Sequence, residues 1–307
     1  MRILHISDVH VQVDYDERPW RKIGWRRMAA QIELKLARRA RRYADAPRAI
    51  GRLLADAERH GIDHVVLSGD LTALALDEEF EGVRNALGPL ADQPDRLTVI
   101  PGNHDVFTPG SLRKKRFDRW FGHLLQSDLP ELRGEGPWPH VRLLGEDVAL
   151  IGLCSARVPP FPGIAAGQVG EDQLQALVKI CAHPKLRGRA IHVVVHHAPL
   201  RPDGKLDRRD HGLVDALRLL EACRIGNVAT ILCGHLHNRY TLSVAGGPQI
   251  VGGGSSTWRD HEGYWLVDSA GGKLEALHEQ ALGNEVVAEA KPARAVPSLV
   301  MPARVGT

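Results

Sequence analysis

The chain has 307 residues, of which 43% are hydrophobic and 25% charged, and its formal net charge is +3. Those values are ordinary for a soluble globular protein with one large domain or two small ones, and they exclude a polycation. No apolar run reaches about 18 residues, so no membrane-spanning helix is expected. The N-terminus runs directly into a polar-ended strand pattern, with no apolar signal segment. Cys154, Cys181, Cys223 and Cys233 are scattered without a CxxC pair. They read as small buried hydrophobes in a reducing, cytoplasmic compartment.

Residues 2–7 (RILHIS) predict a short buried strand, and Asp8 and His10 follow at its C-terminal end. Side chains alternate along extended backbone, so these two point the same way. Residues 17–43 differ in character, with ten Lys or Arg against only Glu17 and Glu33. Trp25, Met28, Ile32 and Leu36 recur there at helical spacing, which predicts a basic amphipathic helix. Such a helix packs on the domain with a solvated basic face, caps a site, or meets a phosphate-rich or membrane surface. Residues 46–60 continue as helix. The strand Val65–Leu67 then ends in Ser68-Gly69-Asp70, where Gly69 lets the backbone turn.

Residues 77–89 predict a helix, and the strand Leu97–Ile100 ends in Pro101-Gly102-Asn103-His104-Asp105. A helix is expected over 111–126, a hairpin over Val141–Leu144 and Val148–Cys154, and a helix over 171–184. Ile191–Val195 is a β-branched strand ending in His196-His197-Ala198-Pro199. A helix over 212–223 precedes the strand Ala229–Cys233, which ends in Gly234-His235-Leu236-His237. Four more strands follow, at 239–244, 249–251, 264–267 and 273–277. The Gly-rich VGGGSS at 251–256 has no helical pattern after it, so it reads as a sheet turn near the site rather than a nucleotide loop. From residue 284 the Ala/Pro/Val-rich tail has no periodicity and is expected to be poorly ordered or loosely docked.

One pattern thus occurs five times: an apolar strand ends, a small or turning residue follows, and a metal-competent side chain sits at the tip. The sets are Asp8/His10, Asp70, Asn103/His104, His196/His197 and His235/His237. Ligands bind at the carboxyl ends of strands in open α/β sheets. Oxygen from Asp and Asn together with nitrogen from His suits Mn, Fe, Zn or Co. No Cys takes part, which argues against a structural zinc site. About seven ligands exceed what one tetrahedral ion needs, whereas two ions sharing a bridging carboxylate use them all. Such a pair activates a bridging water and holds phosphoryl oxygens.

The blocks D-x-H, G-D, G-N-H-D, H-H-x-P and G-H-x-H follow in that order between residues 8 and 237. In this the chain resembles the calcineurin-like metallophosphoesterases. The resemblance implies an α/β fold, a four-layer α/β/β/α sandwich of two mixed β-sheets flanked by helices. It implies two divalent metal ions, the first held by Asp8, His10 and His237, with Asp70 bridging. Asn103, His196 and His235 would complete the second. His196 is preferred to His197 because in relatives the ligand lies three before the Pro of H-H-x-P. His104 is implied to stand beside the metals, stabilising the phosphoryl group or protonating the leaving oxygen. Asp105 is expected to organise its loop.

The expected organisation is a catalytic domain over 1–283 with a basic helical insertion at 17–60, and a tail over 284–307. The expected activity is metal-dependent hydrolysis of a small phosphoester, by preference a cyclic-nucleotide or similar diester. The text GDLTAL departs from the G-D-x-x-D-R-G of protein Ser/Thr phosphatases, and G-N-H-D with H-H-x-P is similar to the cyclic-nucleotide phosphodiesterase branch. One alternative is a pyrophosphatase or phosphodiesterase acting on a nucleotide-linked lipid precursor. Another is a non-catalytic binding module on the same fold, against which every ligand position is intact. Residues 17–43 are expected to gather anionic substrate, or to contact an anionic membrane or lipid-linked substrate. Nucleic acid is not expected as a partner, because overall charge is near neutral and no second domain is evident.

Overall fold

The computed structural model describes residues 1–15, 27, 39–134, 136–161, 163–283, 288–289 and 294–297. Most of the basic segment 17–43 therefore lies outside the described residues. In chain order the strands are β1 (Arg2–Ile6), β2 (His64–Leu67), β3 (Leu97–Val99), β4 (His140–Leu144), β5 (Val148–Gly152), β6 (Ala190–His197) and β7 (Thr230–Gly234). They continue with β8 (Arg239–Val244), β9 (Gln249–Gly253), β10 (Gly263–Ala270), β11 (Lys273–Ala281), β12 (Ala288–Glu289) and β13 (Arg294–Val296). The helices are α1 (Arg39–Arg42), α2 (Ala46–Glu58), α3 (Asp77–Leu87), α4 (Pro109–Arg113), α5 (Arg116–Phe121), α6 (Glu171–Cys181) and α7 (Ala216–Ile225).

These strands build two mixed sheets, ordered β12-β11-β10-β1-β2-β3 and β13-β8-β9-β7-β6-β5-β4. In the first, β1, β2 and β3 run parallel and β10 is antiparallel to β1. In the second, β5, β6, β7 and β9 run parallel. Alternation along the strands creates the layers. Ile3 and Val66 of the first sheet meet Val194, Leu232 and Val251 of the second in a core between the sheets. The intervening residues point outward. Leu4, Ile6, Val65 and Leu67 pack under α2, α3 and α5 through Ile50, Leu53, Phe80 and Phe121. Val193, Val195 and Ile231 pack under α6 and α7 through Leu177, Ile180 and Leu219. The result is the expected α/β/β/α sandwich. Among the described residues no helix is long and apolar enough to cross a membrane.

Two local readings change. The helix expected over 111–126 is broken by Lys115, whose φ of 46° is left-handed. It becomes α4, α5 and a 3-10 turn at Gly122–Leu125. The helix expected from 212 begins only at Ala216. The carboxylate of Asp215 accepts from the amides of Val169 and Gly170 at 3.1 and 2.8 Å, which holds the preceding residues as a turn. Within the tail, β12 pairs with β11 and β13 with β8, and Val296 is buried in the outer core of the second sheet.

The layer between the sheets also carries buried histidines. The His5 ring lies 2.9 Å from Ser68 Oγ, and His64 Nε2 lies 2.9 Å from Thr98 Oγ1. His192 joins the sheets, with Nδ1 2.7 Å from Thr230 and Nε2 3.0 Å from Ser269. Burial pushes His5 and His140 down to about 3, and His64 and His192 down to about 4, from 6.5. These four rings stay neutral in the fold, whereas the unfolded chain protonates them below its ordinary value of 6.5. The unfolded state therefore binds more protons between about pH 6.5 and 4, and stability falls as pH drops through that window. The denaturant midpoint is expected to be clearly lower at about pH 5 than at about pH 7.5. A midpoint constant across that range would contradict this account.

Candidate metal centre

The carboxyl ends of β1, β2 and β3 in one sheet and β6 and β7 in the other deliver their tip residues to one place. Beyond the strands, the loops stay paired. The Asp8 amide donates to Gly69 O and the His10 amide to Asp70 O, each at 3.0 Å. Asp8, His10, Asp70, His235 and His237 adopt left-handed φ of 49°, 44°, 53°, 71° and 56°. Such conformations cost about 1–3 kcal/mol each and persist only where surroundings over-determine them. Close approach also demands glycine at two tips. A Cβ on Gly102 would collide with the Asp70 carboxylate, and one on Gly234 with Ser7 Oγ and Asp8 Oδ2.

Two half-sites result. In the first, His237 Nε2 lies 3.2 Å from Asp8 Oδ1 and 3.2 Å from His10 Nε2, while His10 Nε2 lies 3.7 Å from Asp70 Oδ2. Asp8, His10, Asp70 and His237 each offer an atom within 4.8 Å of the others. In the second, His196 Nε2 lies 3.4 Å from Asp70 Oδ1 and 3.1 Å from Asn103 Oδ1, which is 3.1 Å from His235 Nδ1. Two donors each about 2.1 Å from a common ion are about 3.0–3.4 Å apart at octahedral or tetrahedral angles. The spacings of 3.1–3.4 Å and the mixed N/O donor set therefore fit divalent cations in both halves, with the 3.7 Å from His10 to Asp70 wider than that range.

Backbone carbonyls fix the imidazoles in the required tautomer, since a carbonyl can only accept. His196 Nδ1–H donates to Ser68 O at 2.8 Å, leaving Nε2 toward Asp70 and Asn103. His235 Nε2–H donates to His211 O at 2.9 Å, leaving Nδ1 toward Asn103. His197 is different. Both of its ring nitrogens are engaged, with Ser155 Oγ at 2.7 Å and Ala165 O at 2.9 Å, so neither is left for an ion.

The site holds two ionised carboxylates before any cation binds. Burial opposes the charges on Asp70 and Asp8, but neighbouring histidines outweigh it and hold both carboxyls below the usual range. Burial likewise opposes a proton on His196, yet the charge and hydrogen bond of Asp70 raise it to about 9. Burial pushes His10 down to about 3. A divalent cation would take over the neutralising role that the His196 proton fills.

His104 stands at the rim of the donors. Its amide donates to Asp70 Oδ1 at 2.9 Å, its Nδ1–H donates to Ala73 O at 2.7 Å, and its ring lies edge-on to His10 at 4.9 Å. Asp105 accepts from the amides of Gly102, Leu71 and Thr72 at 2.9, 3.1 and 2.9 Å, which ties the loops after β2 and β3 together. Sequence reasoning did not single out Tyr43, whose hydroxyl lies 3.3 Å from His237 Nδ1, or Ser255 beside it. The VGGGSS turn signalled the latter only in general terms. His211 was also missed. It pairs with Asp207 at 2.6 Å and lies 4.3 Å, ring to ring, from His235.

The model of the calcineurin-like phosphoesterase family matches residues 1–239. The chain belongs to that family. Its members depend on two metal ions, and this chain is accordingly a metal-dependent phosphoesterase. Among solved structures it is similar to a dimetal phosphatase from Danio rerio, at 14% identity and a TM-score of 0.61 over 91% of this chain and 95% of that one. It is also similar to a purple acid phosphatase from yellow lupin seeds, at 13% identity and a TM-score of 0.55 over 97% of this chain and 54% of that one. At such identities the likeness speaks for the fold. No curated protein matches this phosphoesterase in sequence.

The glycine contact gives a test of the geometry. Gly102→Ala should displace the Asp70 carboxylate and weaken divalent-metal binding about 10–100-fold, with the far-UV circular dichroism of the fold retained. Metal titration giving wild-type affinity in that variant would show that Asp70 is not confined as described.

Proposed function

We propose that Asp8, His10, Asp70 and His237 hold one divalent ion, that Asp70, Asn103, His196 and His235 hold a second, and that the substrate is a small phosphodiester. The observation that carries this is the division of Asp70: Oδ2 faces His10 at 3.7 Å and Oδ1 faces His196 at 3.4 Å. Two such ions, drawn from Mn, Fe, Zn or Co, supply an activated water and bind phosphoryl oxygens. The rest of the chemistry is assigned to the chain. Nδ1–H of His104 is held by Ala73 O, and its Nε2 is assigned to the departing oxygen. In its charged form it gives the Nε2 proton to the departing oxygen and keeps the Nδ1 proton.

Preference for a diester rests on the wording of the G-N-H-D and H-H-x-P blocks and on GDLTAL in place of a protein-phosphatase motif. The second reading, a nucleotide-linked lipid precursor, is favoured by the place where the basic segment ends. Tyr43 closes that segment and lies against the candidate metal centre. We place the enzyme in a reducing cytoplasm, which suits its four free cysteines.

Asp70→Ala should lose both ions, because one carboxylate serves two half-sites. His104→Ala should lower kcat by roughly 10²-fold while two ions remain bound. Retention of two ions by Asp70→Ala would refute the bridging role, and metal loss in His104→Ala would make His104 a ligand. With bis(p-nitrophenyl) phosphate and p-nitrophenyl phosphate as a pair, kcat/KM should favour the diester. Preference for the monoester would overturn that part of the proposal.

The basic segment gives a further expectation. Replacing Arg26, Arg38 and Arg39 with Gln should raise KM for a polyanionic nucleotide diester, with kcat on the small chromogenic diester unchanged. The effect should shrink toward about 0.15 M salt, because screening weakens exposed charges. Lost binding to anionic vesicles with unchanged KM would favour membrane contact instead. Arg27 is not among the replaced residues because it is buried. Its guanidinium donates to Leu74 O, Ala75 O and Ser111 Oγ at 2.7, 3.0 and 2.8 Å.

A further inference from the structure

His196, His235 and His104 each have one ring nitrogen pinned by a backbone carbonyl. His237 has a hydroxyl in that place, Tyr43 Oη at 3.3 Å from Nδ1. A hydroxyl can donate or accept, so by itself it does not decide which nitrogen of His237 carries the proton. The next two bonds decide it. Ser255 Oγ lies 2.8 Å from Tyr43 Oη and 2.8 Å from the backbone carbonyl of Asp8. That carbonyl only accepts, so Ser255 spends its single proton on it. Ser255 must then accept from Tyr43. With its own proton given to Ser255, Tyr43 can only accept from His237 Nδ1–H. The chain of donors therefore runs from His237 Nδ1 through Tyr43 and Ser255 to Asp8 O, and it leaves the His237 Nε2 lone pair facing Asp8 and His10.

We propose that Tyr43 and Ser255 are positioning residues of the metal centre: their relay sets the metal-binding tautomer of His237 and fixes the left-handed peptide of Asp8. The inference rests on the reading of His237 and Asp8 as ligands of one ion. Both ends of the relay belong to that half-site, so a single chain of hydroxyls serves two of its ligands. The relay is built into buried structure. Tyr43 and Ser255 are 3% and 3% exposed, and the Tyr43 ring lies 4.8 Å from that of His10. Independent contacts clamp its two sides together. The Arg42 guanidinium sits 4.2 Å over the Trp258 ring, and the Arg259 amide donates to Arg42 O at 3.0 Å. Thr257 Oγ1 donates to Val9 O at 2.7 Å, so the turn after β9 follows the loop after β1. Residues 42 and 43 belong to the basic insertion, which thereby reaches the metal centre through the Tyr43 hydroxyl.

The test is metal binding by the full chain, stripped with chelator and titrated with Mn²⁺ or Zn²⁺ alone by calorimetry. Tyr43→Phe keeps the ring against His10 and removes the hydroxyl. It should weaken one of the two sites about 10–100-fold and leave the other at wild-type affinity. Ser255→Ala should weaken the same site by a similar factor, and the double variant no more than either single one, because each change breaks the same relay. Ser255→Thr, which keeps the hydroxyl, should restore binding. Wild-type affinity at both sites in Tyr43→Phe, equal weakening of both sites, or losses that multiply in the double variant would each overturn the relay. His237→Ala separates the two levels of the argument. Loss of one site in His237→Ala with none in Tyr43→Phe refutes the relay alone. Both sites intact in His237→Ala refutes the ligand assignment and the relay with it.

Discussion

The carboxylate of Asp70 is the point at which the two sheets become one site. It leaves the first sheet at the tip of β2 and meets His10 on one side and His196, from the second sheet, on the other. Buried anions need compensation, and here the neighbours are arranged to give it. The His104 amide donates to Asp70, and the histidines on either side hold its pKa well down. Asp105 holds the surrounding loops in register by accepting three amides, and burial together with the Asp70 charge pushes it up to about 6. Two carboxylates this close favour cations. The same crowding explains glycine at 69 and 102, where a side chain would displace His196 or Asp70.

The site is also costly in backbone terms, and the sandwich is what bears that cost. Five tip residues sit in the left-handed region, where Asp and His are tolerated better than bulkier side chains. Asp8, His10 and Asp70 stay there because the loops after β1, β2 and β9 are bonded to one another along their length, and the loop after β7 joins them where the His235 amide donates to the Asp8 carboxylate at 3.0 Å. Those loops in turn are fixed by parallel strands buried on both faces. A strand register error of one residue would turn each tip side chain out of the site. Apolar packing on both sides of each sheet therefore acts on the chemistry through register, without contacting it.

The order of the tips and most helix positions were legible because each strand is a short apolar run stopped by a turn residue, whereas the division into two sheets came only from the family resemblance. The choice between His196 and His197 was not legible from the residues alone. Both faces of β6 are buried, so hydrophobicity carries no phase, and a bulge between Val194 and His197 shifts the register there. Inward orientation of His192 and His196 together is what the fold adds. Tyr43 was hidden for another reason. It reads as the end of a basic helix, and only tertiary contact with the turn after β9 makes it part of the centre. The start of α7 was misplaced because Asp215 bonds amides 45 and 46 residues away, which no local pattern encodes.

Charge counting over residues 17–43 treats every cation as equivalent, and the described residues show why that fails. Arg27 is buried, and burial pushes it down to about 10 while three oxygen acceptors satisfy it. Its task is to close the loop that follows Asp70, since Leu74 and Ala75 supply two of those acceptors. Arg42 lies over an indole, where the cation–π attraction is short-ranged and fixes the neighbouring Tyr43. Two of the ten basic residues thus act as anchors, Arg27 on the loop that follows Asp70 and Arg42 on the turn after β9.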